Sequence, residues 1–118
     1  MRVAVVGSRS LNVDISKYIP DGTTEIISGG AKGIDTLAEK YADEHNIPKL
    51  IIKPEYEKYG IAAPLKRNEI IVDISDMVIA IWDGQSRGTK FVIDNCKQRG
   101  VPVTVFVVNS ANQLVLKG

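Results

Sequence analysis

Apolar residues along this chain fall in short unbroken runs, and between the runs the spacing turns helical. Val3 to Val6 is a continuous apolar run closed by Gly7. Such a run suits a strand buried on both faces of a parallel sheet. Thr24 to Ile27, Lys49 to Ile52, Met77 to Trp82 and Val103 to Val108 read as four more strands. Ile34, Leu37, Ala38, Tyr41 and Ala42 fall at i, i+3, i+4, i+7 and i+8. They predict a helix to about Asn46, where Pro48 forbids continuation. A further helix is expected from Ala63 or Pro64 to about Ser75, proline being favoured in a first turn. Another should run from Thr89 to about Arg99, with Gly100 as its C-cap. Val13 to Ile19 predicts a short helix with Asn12 as N-cap, and Lys53 to Ala63 a long polar loop.

This alternation predicts one α/β domain over residues 1–108. The expected architecture is Rossmann-like and doubly wound, a five-stranded parallel sheet in the order 3-2-1-4-5 with helices on both faces. Residues 109–118 form a C-terminal tail, whose Leu114, Val115 and Leu116 add an edge strand or meet a partner subunit. Ligands of such sheets bind at the carboxyl ends of the strands, beside the switch between strands 1 and 4. Three loops belong there: Gly7 to Ser10, Ser28 to Gly33 and Trp82 to Gly88. They are also the loops richest in Gly, Ser and Arg.

Composition narrows the chemistry. With 15 basic and 14 acidic residues the net charge is +1, so any anion site must be local. The single Cys96 allows no internal disulfide and reads as a small core residue. The opening apolar run is too short for a signal peptide or a membrane span, and a cytoplasmic protein without a membrane partner is expected. No spacing of Cys and His suggests a metal. There is no G-x-x-x-x-G-K-[ST] loop, and the first strand-to-helix turn lacks G-x-G-x-x-G, which disfavours an ordinary NAD dehydrogenase.

Ser28-Gly29-Gly30-Ala31-Lys32-Gly33 joins a strand to a helix with three glycines in five residues. The N–H groups and positive dipole end of that helix suit phosphate or carboxylate, with Lys32 as a mobile cation. A tight turn without a ligand has the same composition. Asp35 stabilises the dipole of this helix or accepts a ribose hydroxyl. Arg67 lies among Ile70, Ile71 and Ile74 on an apolar helix face, from which it reaches a ligand or pairs with a carboxylate. Ser86-Arg87-Gly88-Thr89 opens a second helix and offers a second oxyanion seat. Arg9 and Arg87 are loop cations. Asp83 ends a strand, and Trp82 beside it stacks on a base or closes the core. Two helix N-termini and separate arginines imply an extended anion such as a nucleotide, a sugar phosphate or a diphosphate. His45, Tyr56 and Tyr59 read as surface residues.

Val5-Val6-Gly7-Ser8-Arg9, the string Ile27 to Asp35, Arg67-Asn68-Glu69-Ile70-Ile71 and Gly88-Thr89 occur in this order over nearly the whole chain. Together they resemble the Rossmann-like superfamily that unites the Smf/DprA DNA-processing proteins with the Lonely Guy (LOG) phosphoribohydrolases (SLOG), and within it the small YspA/YpsA-related branch. The resemblance implies a nucleotide-type ligand or a nucleic acid at the glycine loops, contacted by residues that include Asn68, and a homodimer or higher homo-oligomer. LOG enzymes resemble P-G-G-x-G-T-x-x-E, with the Glu working on the glycosidic bond. Val92 stands at that position here, beside Phe91, so Asp35 and Asp83 are the candidate catalytic carboxylates. The expected function is a sensor that binds a nucleotide, ADP-ribose or an NAD-like molecule and requires no resident cofactor. The alternatives are a LOG-like nucleoside monophosphate phosphoribohydrolase and DprA-like binding of single-stranded DNA.

Overall fold

Both faces of the central strands are apolar because both are covered. In the computed structural model, which describes residues 1–118, β1 (Arg2–Gly7) sends Val3 and Val5 to one side of the sheet and Ala4 and Val6 to the other. β2 (Glu25–Ser28), β3 (Lys49–Ile51), β4 (Met77–Trp82) and β5 (Val103–Val108) join it in the order β3-β2-β1-β4-β5, all parallel. The register sets Val3 opposite Ile26 of β2 and Met77 of β4. This is the doubly wound order, and the chain reverses direction of travel between β1 and β4.

The first face is covered by α1 (Ile34–Glu44), whose Ile34, Ala38 and Ala42 pack on Val3, Val5, Ile79 and Ile81. The second is covered by α3 (Ala63–Ile74) and α4 (Arg87–Arg99), which bring Ile71, Val72, Val92, Ile93 and Cys96 onto Ala4, Val6, Val78 and Ala80. Burial pushes the Cys96 thiol up to about 11, so it behaves as an inert core group. α1 ends with Asn46 at positive φ, before Pro48, and α4 ends at Gly100 in the left-handed region.

Four local expectations are corrected. Between β1 and β2 the chain forms one 3-10 turn, Ile15–Lys17, rather than a helix over Val13 to Ile19. Its cap is Asp14, not Asn12: Asp14 Oδ1 accepts from Ser16 N–H at 3.2 Å and Ser16 Oγ at 2.6 Å. Leu11 and Ile15 are buried, and Val13, Tyr18 and Ile19 pack partly against the same core, without a longer helix. The loop from Lys53 contains a single helical turn, α2 (Tyr56–Tyr59), and a 3-10 turn (Gly60–Ala62) that leads into α3. α4 begins at Arg87, two residues before Thr89, because Asp83 Oδ1 gathers the N–H groups of Gln85 and Ser86 and tightens the loop. Residues Leu114–Lys117 form β6, which pairs antiparallel with β5 and makes the sheet six-stranded. No helix is long and apolar enough to cross a membrane.

Candidate functional site

The carboxyl ends of β1 and β4, with the first turns of α1, α3 and α4, surround a cleft of about 430 Å³. It lies at the topological switch, where neighbouring loops leave in opposite directions and open a crevice. The floor is apolar: Val6 of β1, Ile71 of α3 and Val92 of α4. Pro64 and Leu65 wall the α3 side, and Ser10 the side of the loop after β1.

The glycine loop is tied internally. Gly29 is buried, and its carbonyl accepts from Arg67 Nη1. Arg67 is 9% exposed, and its Nε donates to Asn68 Oδ1 at 2.8 Å. Burial pulls Arg67 below its ordinary value, and the nearby Asp35 opposes that shift. Ser28 Oγ accepts from Gly30 N–H at 3.1 Å and donates to Glu39 Oε2 at 2.6 Å. Ala31 N–H donates to Asp35 Oδ2 at 3.1 Å. Gly33 has φ +75°, and a side chain there would fall on the backbone carbonyl of Arg9. Gly7 is equally constrained by space: an added Cβ would lie 2.5 Å from Ile81 O and from Ile34 Cγ1. These glycines are required by close backbone approach.

The loop from β4 to α4 is built differently. Asp83 Oδ1 accepts from Gln85 N–H at 2.8 Å, Ser86 N–H at 2.7 Å and Ser86 Oγ at 3.1 Å. Ser8 Oγ and Ser86 Oγ share a hydrogen bond of 2.6 Å across the mouth of the sheet, and Asp83 N–H donates to Ser8 Oγ at 3.0 Å. Trp82 Nε1 donates to Ser86 O at 3.0 Å, and its ring packs against the α3–α4 core. The loop is therefore rigid, while the N–H groups of the first turn of α4 have no intrahelical acceptor and no side-chain cap. Gly88 and the buried Thr89 stand at that turn and line the cleft. A Cβ at Gly88 would meet nothing within 4 Å, and its φ is not positive.

Two carboxylates face the cleft in opposite electrostatic states. Asp35 is 6% exposed, and burial pushes it up to about 6 against the pull of Ala31 N–H and the Arg67 charge. Asp83 is only partly buried; burial raises it, but the hydrogen bonds from Ser86 and Gln85 outweigh that and hold it below the usual carboxylate range. Asp83 thus stays ionised as the knot of its loop, whereas Asp35 changes protonation near neutrality.

Among the residues expected at a site, Gly7, Ser8, Arg9, Gly29, Ala31, Asp35, Arg67, Asn68, Asp83, Ser86, Gly88 and Thr89 line the one cleft. Ser28, Gly30, Lys32, Gly33, Trp82 and Arg87 do not. Ser28 and Gly33 lie beneath the loop, and Gly30, Lys32 and Arg87 are exposed outside it. Sequence reasoning passed over the apolar floor. Its signal was present: Ile71 lies four residues after Arg67, and Val92 four after Gly88, each on the same helix face. Ile70, grouped with Arg67 on the wheel, is instead 37% exposed. No group of three or more His, Cys, Asp or Glu side chains converges anywhere. Comparison with protein-family models, curated proteins and solved structures gives no match to this chain.

Proposed function

We propose that this chain is a sensor that binds a nucleotide or nucleotide derivative, of the kind the SLOG superfamily and its YspA/YpsA-related branch contain. The observation that carries the reading is Gly88. Glycine in a helix interior costs about 1 kcal/mol relative to alanine and less in a first turn, and at Gly88, the second residue of α4, neither backbone angle nor crowding requires it. What the missing side chain leaves is free approach to the unpaired N–H groups of α4, beside Thr89 and the Ser8–Ser86 hydroxyl pair. A phosphate fits that chemistry. Arg9 supplies the nearest mobile cation, and the apolar floor accepts the flat or carbon-rich part of the ligand. The self-association in this reading uses β6, whose Leu114, Val115 and Leu116 are 50–63% exposed. A single-stranded nucleic acid is disfavoured by the +1 net charge and the confined cleft.

A second reading, cleavage of an N-glycosidic bond, rests on Asp35. A buried carboxyl that titrates near 6 suits proton transfer to a leaving base. Val92, at the place of the LOG glutamate, forms floor only.

A thermal-shift screen with AMP, ADP, ADP-ribose, NAD and a short single-stranded oligonucleotide tests both, each hit then being assayed for free base. A ligand at a hundred times its Kd adds about 2.7 kcal/mol. Stabilisation by a small nucleotide without products supports the sensor; released base that disappears in Asp35→Asn supports the hydrolase. Stabilisation by the oligonucleotide alone, or by nothing in the set, removes both.

A further inference from the structure

We propose that the cleft takes up its anionic ligand together with one proton, which lodges on Asp35, so that ligand affinity falls as pH rises. The inference rests on the nucleotide-binding reading above.

Its basis is the way the cleft distributes charge. Asp35 is a buried carboxylate on the wall of a cavity that also presents Arg9 and the uncapped first turn of α4. From the glycine loop it receives Ala31 N–H at 3.1 Å, and Gly29 N–H also favours its charged form. Arg67 of α3 makes no ion pair with it, since its Nη1 is engaged by Gly29 O and its Nε by Asn68 Oδ1. From its own helix, Glu39 adds negative charge. Tyr56 of α2 and Arg9 of the loop after β1 act on Arg67, and Arg9 also lines the cleft. Asp83, on the loop after β4, stays ionised on another wall. Burial pushes Asp35 up to about 6, because the Ala31 and Gly29 N–H groups and the Arg67 charge offset only part of the cost of keeping a carboxylate out of water.

A bound oxyanion adds a like charge and favours the neutral acid further. The carboxylic acid then also has an O–H to donate to a ligand oxygen. The sign follows from linkage. At pH 7 Asp35 is mostly ionised in the free protein and more protonated in the complex, so binding draws protons from the buffer. Affinity declines above pH 6 by at most about tenfold per pH unit. A ligand that raises Asp35 by one unit produces a tenfold total change.

The test is calorimetric titration at pH 7 in two buffers of different ionisation enthalpy, which counts the protons taken up. ADP-ribose is the first probe, because its phosphates are linked to one another and to sugars and lack the monoester proton that titrates near pH 6. AMP is the second. Asp35→Asn is the reference, so that protons belonging to the ligand cancel; its amide oxygen still accepts from Ala31 N–H. We expect wild type to take up about 0.4 proton or more per ligand beyond Asp35→Asn, the amount a one-unit rise from about 6 gives at pH 7. The variant should bind with affinity flat between pH 6 and 8. Equal proton counts in the two proteins overturn the proposal and leave nucleotide binding standing. Absence of binding by either probe at every pH from 5.5 to 8 removes both. Should Asp35→Asn fail to fold, the wild-type affinity for ADP-ribose over that range decides: a fall supports the proposal, and a flat profile overturns it.

Discussion

The two strand-to-helix loops that flank the cleft have similar composition and opposite construction. In the loop from β2 to α1 the side chains and glycines are spent on the protein itself. Arg67 holds Gly29 O, Ser28 holds Gly30 N–H, Asp35 holds Ala31 N–H, and Gly33 packs on the backbone of Arg9. In the loop from β4 to α4 the side chains also stiffen the turn, and the N–H groups that start α4, like those that start α1, carry no side-chain cap; the difference is Gly88, which geometry does not demand. A glycine that the backbone needs speaks of architecture. A glycine in a helix with open space before it speaks of something that must come close. In the proposed reading the more conspicuous motif, Ser28 to Asp35, builds the wall, and the shorter one builds the seat.

Three substitutions break or sharpen this contrast. The largest effect is expected for Gly33→Ala, which places a side chain at φ +75° on the Arg9 carbonyl. Strain and crowding together should cost about 3 kcal/mol or more, read as a lower urea midpoint; normal stability would show that the glycine loop is not architectural. Arg67→Ala comes next. It leaves Gly29 O and Asn68 Oδ1 without their buried donor, and a loss of about 2–3 kcal/mol is expected. Arg67 lines the cleft, but its Nε and Nη1 are engaged by the fold, and its loss should lower the melting temperature in the absence of any nucleotide. Gly88→Ala has the smallest effect on stability and the opposite sign. It should stabilise the free protein by about 0.5 kcal/mol, while ligand affinity falls tenfold or more. A variant stabilised with unchanged affinity would place the phosphate elsewhere.

Much of the fold was legible because it is local. Val3 to Val6 and Met77 to Trp82 cannot be anything but covered strands, and Ile34 to Ala42 repeats at helical spacing. Where the local signal was thin, tertiary packing decided. Val13 to Ile19 satisfies its burial with one 3-10 turn, and Leu114–Lys117 becomes a strand because β5 presents a free edge. The site followed the same division. The topology rule brought Ser8, Gly29 and Gly88 to one crevice, since sheet order and crossover handedness fix which loop ends are neighbours.

Residue types and their spacing alone determined the parallel sheet, its order and the end of the sheet where polar loops gather, because burial periodicity and chain direction are local properties. They did not determine which polar groups remain free. Ser8 and Ser86 meet across 78 positions, and Arg67 reaches Gly29 across 38. A hydrogen bond formed at such range depends on how the elements dock, and only docking shows whether a donor is spent on the fold or left for a ligand.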